Sequence, residues 1–311
     1  QLLPCEYVSP YYRDDSLLLG LGFTPYTLML QLLAKADDIF TGGREYYAHP
    51  NYRGSDKPTI IHQSSATGMQ AIPATGIAQG LQYLQEIKSP LYRNGDQAEN
   101  PVVVCSLGDA SLTEGEVSEA LQVAVLKKLP IIYLVQDNSW GISVTSSEAR
   151  TMNAYQFAKG FKGLQRVRVD GSDFFKSYKM MNKVVGNVRD KGGPYLVHAT
   201  VPLLGHHTSG VRKEFYRSEE DLAYDSLNDP IPKIKTRLLN LGVDENVLND
   251  IEKIVHGADA EQFESAMSAP EPDPANVQEH IFAPTPVKEE KGNRTPAGKE
   301  KIVMVDAALF A

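Results

Sequence analysis

Short apolar runs rich in β-branched residues recur along the chain, at 58–62 (PTIIH), 101–107 (PVVVCSL), 130–136 (PIIYLVQ), 165–170 (QRVRVD) and 194–201 (PYLVHATV). These runs read as buried strands of a parallel sheet. Between them, apolar positions fall at helical spacing over 69–88, 115–128 and 173–191. The last two are led by TEGE and GSD, which puts acids where a helix N-terminus is positive. This alternation predicts an α/β fold, a doubly wound and mainly parallel sheet flanked by helices. From Asp229 the pattern turns helical, with Gly242 expected to stop the first of two helices that cap the sheet. We place this α/β domain with its C-terminal helices over 1–268. Residues 269–300 are rich in proline and charge and too poor in apolar side chains to offset the entropy of ordering, so they read as a linker. A new apolar pattern, KIVMVDAALFA, begins at Lys301 and runs to 311.

A formal charge of -8 and the lack of any Lys/Arg block argue against a nucleic-acid binder. Cys5 and Cys105 are the two cysteines, far apart, so neither a disulfide framework nor a cysteine metal site is expected, and the cytoplasm is the expected compartment. No apolar run approaches the roughly 18 residues that span a bilayer, and no signal-peptide pattern opens the chain. The sequence starts on Gln1 rather than methionine, which we read as the start of a fragment.

The chemistry is concentrated in 105–143, CSLGDASLTEGEVSEALQVAVLKKLPIIYLVQDNSWGIS. Asp109 lies just past one predicted strand and Asn138 just past the next, and in an open parallel sheet ligands bind beyond such strand ends. One charged and one neutral oxygen form a sparse but suitable set for Mg²⁺, provided a bound diphosphate supplies further oxygens. Gly108 and the small Ala110 and Ser111, placed before a helix, let backbone N–H groups approach that diphosphate. Taken singly, Asp109 reads equally as a helix N-cap and Asn138 as a turn residue.

Gly108-Asp109-Ala110 followed by Asp137-Asn138 resembles the thiamine-diphosphate-binding motif. With YYR (11–13), GGRE (42–45), HQSSATGMQAIPATGIAQG (62–80), VDGSD (169–173), GGPYLVHAT (192–200), GHHTS (205–209) and FYRSEEDL (215–222), nearly the whole chain resembles the alpha chain of the decarboxylating component of 2-oxo acid dehydrogenase complexes. GHHTS and SSATG look more like the branched-chain members than the pyruvate members. The resemblance implies thiamine diphosphate and Mg²⁺ as cofactors, with Asp109, Asn138 and the backbone carbonyl of Trp140 as metal ligands. It implies Tyr12 and Arg13 at the diphosphate, His207 on a loop that closes at the cofactor, and Ser64 to Gln70 facing the aminopyrimidine ring.

In that family the glutamate that activates the cofactor belongs to a beta chain, and 301–311 resembles the start of one. The resemblance therefore implies an alpha–beta fusion of which this chain is the first half, a site completed by a beta half, a symmetric oligomer, and a lipoyl acyltransferase as acyl acceptor. Two positions depart from the family pattern. Ala110 replaces the second glycine, which requires a negative φ there, and Leu203 stands where many members carry an arginine. Those departures motivate a competing reading as a non-catalytic assembly or regulatory subunit. A pyruvate or acetoin enzyme is the alternative within the class. A nucleotide-binding Rossmann reading has only the lone Gly-x-Gly of GLGFTP (20–25) in its favour.

Overall fold

The computed structural model describes residues 2–62, 65–92, 100–208, 210–282 and Val303. The first unit ends at Asp273. Its strands are β1 (Tyr7–Ser9), β2 (Thr59–Ile60), β3 (Val103–Gly108), β4 (Ile131–Asp137), β5 (Trp140–Gly141), β6 (Val144–Thr145), β7 (Gln165–Asp170) and β8 (Tyr195–Thr200). Its helices are α1 (Asp15–Gly20), α2 (Pro25–Leu32), α3 (Ala71–Glu86), α4 (Gly115–Lys127), α5 (Ser146–Ala149), α6 (Ala154–Phe157), α7 (Phe174–Lys191), α8 (Glu219–Leu227), α9 (Pro230–Asn240) and α10 (Glu245–Met267). Six strands form one parallel sheet in the order β2-β1-β3-β4-β8-β7, and β5 and β6 form a separate antiparallel hairpin. The α/β expectation holds, with one correction: β7 is the edge strand and none of its residues is buried, so the expected buried strand at 165–170 is half exposed.

Alternate residues of the central strands feed two cores. Val103, Cys105, Leu107, Ile131, Tyr133 and Val135 face α3 and α4, while Val104, Ile132 and Val197 meet Val184, Val185 and Val188 of α7. The α3 face is built from Ala71, Ala74 and Ala78, small enough to bring the helix close to α4 and the sheet. Tyr133 is fully buried on β4, and its hydroxyl bonds Thr75 Oγ1 at 2.6 Å, so its polar tip is matched where water is absent. Helix α7 starts at Asp173, whose side chain accepts from Lys176 N, and α9 starts at Asp229 followed by Pro230.

Gly242 sits at φ +88 just after α9 and ends it, as its position predicts. The second of the two C-terminal helices departs from expectation. Helix α10 lies along α2, not over the sheet, with Gln262 Oε1 accepting from Tyr26 N and the Met267 carbonyl from Lys35 Nζ. Among the described side chains, Ala266 is the buried residue of α10 and α9 has none. Beyond α10, the Pro270 carbonyl accepts from Ala36 N and Glu271 pairs with Lys35, so the residues just past 268 are tied to the first unit. The second unit, from Pro274, shows a short 3₁₀ turn over Pro274–Asn276. The remainder of the expected linker, from 283, and all of 301–311 except Val303 lie outside the described residues. No described helix is long and apolar enough to cross a membrane.

A buried ion pair fixes β1 against α7. Glu6 is fully buried and meets Arg189 in a two-pronged pair, Nε to Oε1 at 2.8 Å and Nη2 to Oε2 at 2.7 Å. Removing one partner of such a pair leaves an uncompensated charge. Arg189→Met is therefore expected to lower stability by about 3–5 kcal/mol, read from urea unfolding. An unchanged midpoint would refute the assignment.

Candidate active site

The carboxyl ends of β1, β3, β4 and β8 all open on one cavity of about 960 Å³. Each strand delivers one segment to it: Tyr11 to Arg13 after β1, Gly108 to Ala110 after β3, Asn138 to Ile142 after β4, and Val201 to His207 after β8. From β1 the chain goes first to β2 on one side and then to β3 on the other, so the cavity lies at the switch point, where open α/β sheets bind ligands. Asp109 and Asn138 converge because β3 and β4 are neighbours, with Gly108 paired to Gln136.

Asp109 is buried, and its side chain makes no helix-capping bond to the 3₁₀ turn that follows. It pairs instead with the buried guanidinium of Arg150, whose Nη2 also reaches Asp137 Oδ1 at 3.4 Å. Asp137 in turn bonds His198 Nε2 at 2.7 Å. Burial first, then the charge of Asp137, pushes the Asp109 carboxyl up to about 6, against the pull of Arg150. Burial pulls Asp137 upward too. There the bond to His198, the His198 and Arg150 charges and the Ser139 N–H outweigh burial and hold the carboxyl below its ordinary range.

Asn138 does form a turn: its Oδ1 accepts from Trp140 N at 2.9 Å, while Asp137 Oδ1 accepts from Ser139 N at 3.0 Å. These two side-chain turns fix the main chain at Trp140. A carboxamide oxygen has two lone pairs, so one is left for a cation. Ile142, in the β5–β6 loop and in the cavity wall, stands at φ +58, a strained place for a β-branched residue and one of the marks of a functional site.

On the other side of the cavity, Arg13 and His207 hold each other. Arg13 Nη1 donates to the His207 carbonyl at 3.0 Å and Nη2 to its Nδ1 at 2.6 Å, and the guanidinium also bonds Tyr12 Oη. A guanidinium only donates, so Nδ1 accepts and the imidazole proton sits on Nε2. Burial, then Arg13, lowers the His207 pKa, which favours this neutral form. Arg13 Nε is buried and has no acceptor among the described residues. Asp14 anchors the segment: Oδ2 accepts from Tyr11 N at 2.7 Å and Oδ1 from Gln136 Nε2 at 2.6 Å, tying it to β4.

The remaining predicted residues divide. Ala110 is not among the residues of positive φ and occupies the 3₁₀ turn, so glycine is not needed there. Gly108 lines the cavity, and a Cβ there would come within 2.8 Å of Tyr11 Oη. Ser111 is fully buried and donates to the Gly108 carbonyl at 2.6 Å, so it braces the turn and does not line the cavity. Leu203 forms part of the wall, its N–H given to Asp225 and its carbonyl to Arg217. Arg217 lies over the Trp140 ring at 5.2 Å, but Asp221 and Asp225 match its charge. Ser65 and Thr67 line the cavity and Gln70 Nε2 bonds the Ser106 carbonyl, whereas Ser64 lies outside the described residues.

Ser65, Thr67, Tyr12 and His207 also border a second, more apolar cavity of about 620 Å³. On its wall His49 Nδ1 donates to the Tyr47 carbonyl and Nε2 faces Ser65 Oγ at 2.9 Å. Sequence reasoning missed Arg150, Asp14, Tyr47, His49 and the Asp137–His198 pair. His198 alone carried a signal, a polar residue inside an otherwise apolar strand, which must find a partner.

Among the described residues no cluster of three or more His, Cys, Asp or Glu could hold a metal. The candidate donor set is of another kind, one carboxylate, one carboxamide and a main-chain carbonyl, all oxygen. It fits a small hard cation that brings its own anionic ligand, and the unmatched Arg13 N–H fits that anion.

The family model described as "Dehydrogenase E1 component" matches residues 2–275. The alpha subunit of 2-oxoisovalerate dehydrogenase from Bacillus subtilis (strain 168) is 28% identical over 284 residues, 89% of this chain and 80% of that protein. The pyruvate dehydrogenase E1 component alpha subunit of Porphyra purpurea is 30% identical over 287 residues, 89% of this chain and 78% of that protein. The 3-methyl-2-oxobutanoate dehydrogenase alpha subunit of Mycobacterium tuberculosis (strain CDC 1551 / Oshkosh) is 33% identical over 177 residues, 57% of this chain and 44% of that protein. With the family model covering most of its length, the chain belongs to the dehydrogenase E1 component family.

Proposed function

We propose that this chain is the alpha-type part of a 2-oxo acid dehydrogenase E1 component. In this reading it binds Mg²⁺ and thiamine diphosphate and acts in the oxidative decarboxylation of a branched-chain 2-oxo acid, with acyl transfer to a lipoyl group. The observation that carries the reading is the convergence of Asp109, Asn138, Arg13 and His207 on one cavity at the carboxyl ends of four adjacent strands. Asp109, Asn138 and the Trp140 carbonyl would hold the metal, and Arg13 would neutralise the diphosphate as an always-charged planar donor. When bound, thiamine diphosphate supplies the nucleophilic carbon and the electron sink that loss of CO₂ requires. The protein binds, orients and excludes water. His207, neutral with its proton on Nε2, can donate that proton as a hydrogen bond to an anionic oxygen. Two 2-oxoisovalerate-type relatives support the branched-chain reading, and the pyruvate-type relative keeps pyruvate as the second.

A beta-type partner, fused or separate, and a lipoyl acyltransferase complete the proposal. Turnover of 3-methyl-2-oxobutanoate and of pyruvate by the assembled enzyme tests it: a higher kcat/KM for the branched substrate is expected, and the reverse ratio assigns pyruvate. Calorimetric titration of thiamine diphosphate with Mg²⁺ against the same assembly separates an enzyme from an assembly subunit, since heat of binding is expected only for the first.

The loop from Gly205 to Tyr216 carries His207 into the cavity, where Arg13 holds it, yet Phe215 is among the most exposed apolar side chains, and beyond His207 the loop shows a local bridge between Thr208 and Val211 and a 3₁₀ turn over Lys213–Phe215. Arg217 anchors its far end. Limited proteolysis is expected to cut between these points, and thiamine diphosphate with Mg²⁺ to slow that cleavage by about tenfold or more. Equal rates with and without cofactor would count against loop closure on the site.

A further inference from the structure

Arg150 is carried under the cavity by a short relay. After Asn138, the β5–β6 hairpin turns the chain back, and Thr145 and Glu148 cap α5 reciprocally. Arg150 then leaves the helix end in extended conformation with its N–H on the Ser146 carbonyl. Its guanidinium has two acidic neighbours, Asp109 and Asp137, and Asp137 is itself shared with His198. The carboxylate that a metal would use is thus already in contact with an internal cation.

The charges can be counted. Asp109 and Asp137 bring two negative charges and Arg150 one positive, and His198 adds a second positive charge when protonated. A divalent cation alone on Asp109 would put at least three positive charges against two negative ones in a buried place, where like charges repel far more than in water. A diphosphate adds at least two negative charges and offsets that excess. We propose that Arg150 is a positioning residue that holds Asp109 in the absence of cofactor and makes metal entry depend on the diphosphate, so that metal and anion load together. This rests on the reading of the cavity as a Mg²⁺–thiamine diphosphate site.

The test uses Mn²⁺ as a probe, its free fraction read by electron paramagnetic resonance, on the intact protein with its beta partner. The diphosphate's own oxygens couple the two ligands in any case, so the deciding quantity is affinity for Mn²⁺ alone. Arg150→Met is expected to bind Mn²⁺ without thiamine diphosphate at least about tenfold more tightly than wild type, within the usual 5–150-fold range of site coupling. Arg150→Lys, which keeps the charge, is expected to stay near wild type. Affinity for Mn²⁺ alone that is unchanged or weaker in Arg150→Met overturns the proposal. Should that variant fail to fold, the other arms still decide. Arg150→Lys binding Mn²⁺ alone tenfold more tightly, or wild type binding it equally well with and without thiamine diphosphate, overturns it. Wild type that binds thiamine diphosphate under no condition removes the cofactor reading together with the proposal, and is distinguishable from the other outcomes for that reason.

Discussion

Asp109→Asn is expected to abolish binding of thiamine diphosphate with Mg²⁺ in the assembled enzyme, lowering affinity by more than about a hundredfold, the upper end of what even an outer-shell change at a metal site costs. The substitution keeps size and shape, removes the charge and turns one acceptor oxygen into a donor NH₂. Asp109 is the one carboxylate in the candidate donor set, and its neighbours Asn138 and the Trp140 carbonyl are neutral, so no other protein oxygen in that set balances the metal. Stability should change little. In the folded chain the Asp109 carboxylate is buried beside Asp137, and the rise of its pKa to about 6 reports that the ionised form is disfavoured there. Neutralising it relieves that repulsion, while Arg150 keeps Asp137 as a partner. Isothermal titration gives the affinity and thermal unfolding without ligand gives the stability. Near-wild-type affinity would refute Asp109 as a ligand. A large loss of stability with unchanged affinity of the folded fraction would make it a structural residue.

The sheet was legible because its central strands are buried on both faces and therefore written as unbroken apolar runs. The bounds of α3, α4 and α7 fall within two residues of the helical spacing that predicts them. β1 was not legible. It has three residues between Pro4 and Pro10, too short for any period to show, yet it pairs with both β2 and β3 and delivers Tyr12 and Arg13 to the site. Asp109 and Asn138 could be read from their places after two strands, since strand ends in a parallel sheet lie on one side. What holds Asp109 could not: Arg150 is 41 positions away and sits at the end of a four-residue helix, with no local pattern to distinguish it from a solvated arginine. The bracing of this turn was not legible either: Ser111 donates to the Gly108 carbonyl, and Tyr11 fills the space beside Gly108.

The chain on its own is expected to fold and to be inert, neither decarboxylating a 2-oxo acid nor exchanging the reactive thiazolium proton faster than free thiamine diphosphate does. Activating that carbon needs a carboxyl group that can hold a proton against the cofactor's ring, and such a group works when it is sheltered from water and its pKa is set near the working pH. The acidic side chains that border the two cavities do not meet this requirement. Asp109 is engaged by Arg150, and Asp15 accepts the Tyr47 hydroxyl. Glu114 and Glu45 are exposed to solvent. The missing group must then come from outside the described residues, and a beta-type partner facing the more apolar cavity is the source our reading assigns. Proton exchange followed by NMR with saturating thiamine diphosphate and Mg²⁺ measures the activation step directly, without requiring turnover. Adding the beta partner should restore both exchange and decarboxylation. Glu45→Gln is the internal control, since Glu45 is the acid that borders the second cavity: it should leave the assembled enzyme unchanged. Accelerated exchange by the chain alone would sink the divided-site reading, and if Glu45→Gln then removed that acceleration, Glu45 itself would be the activating group.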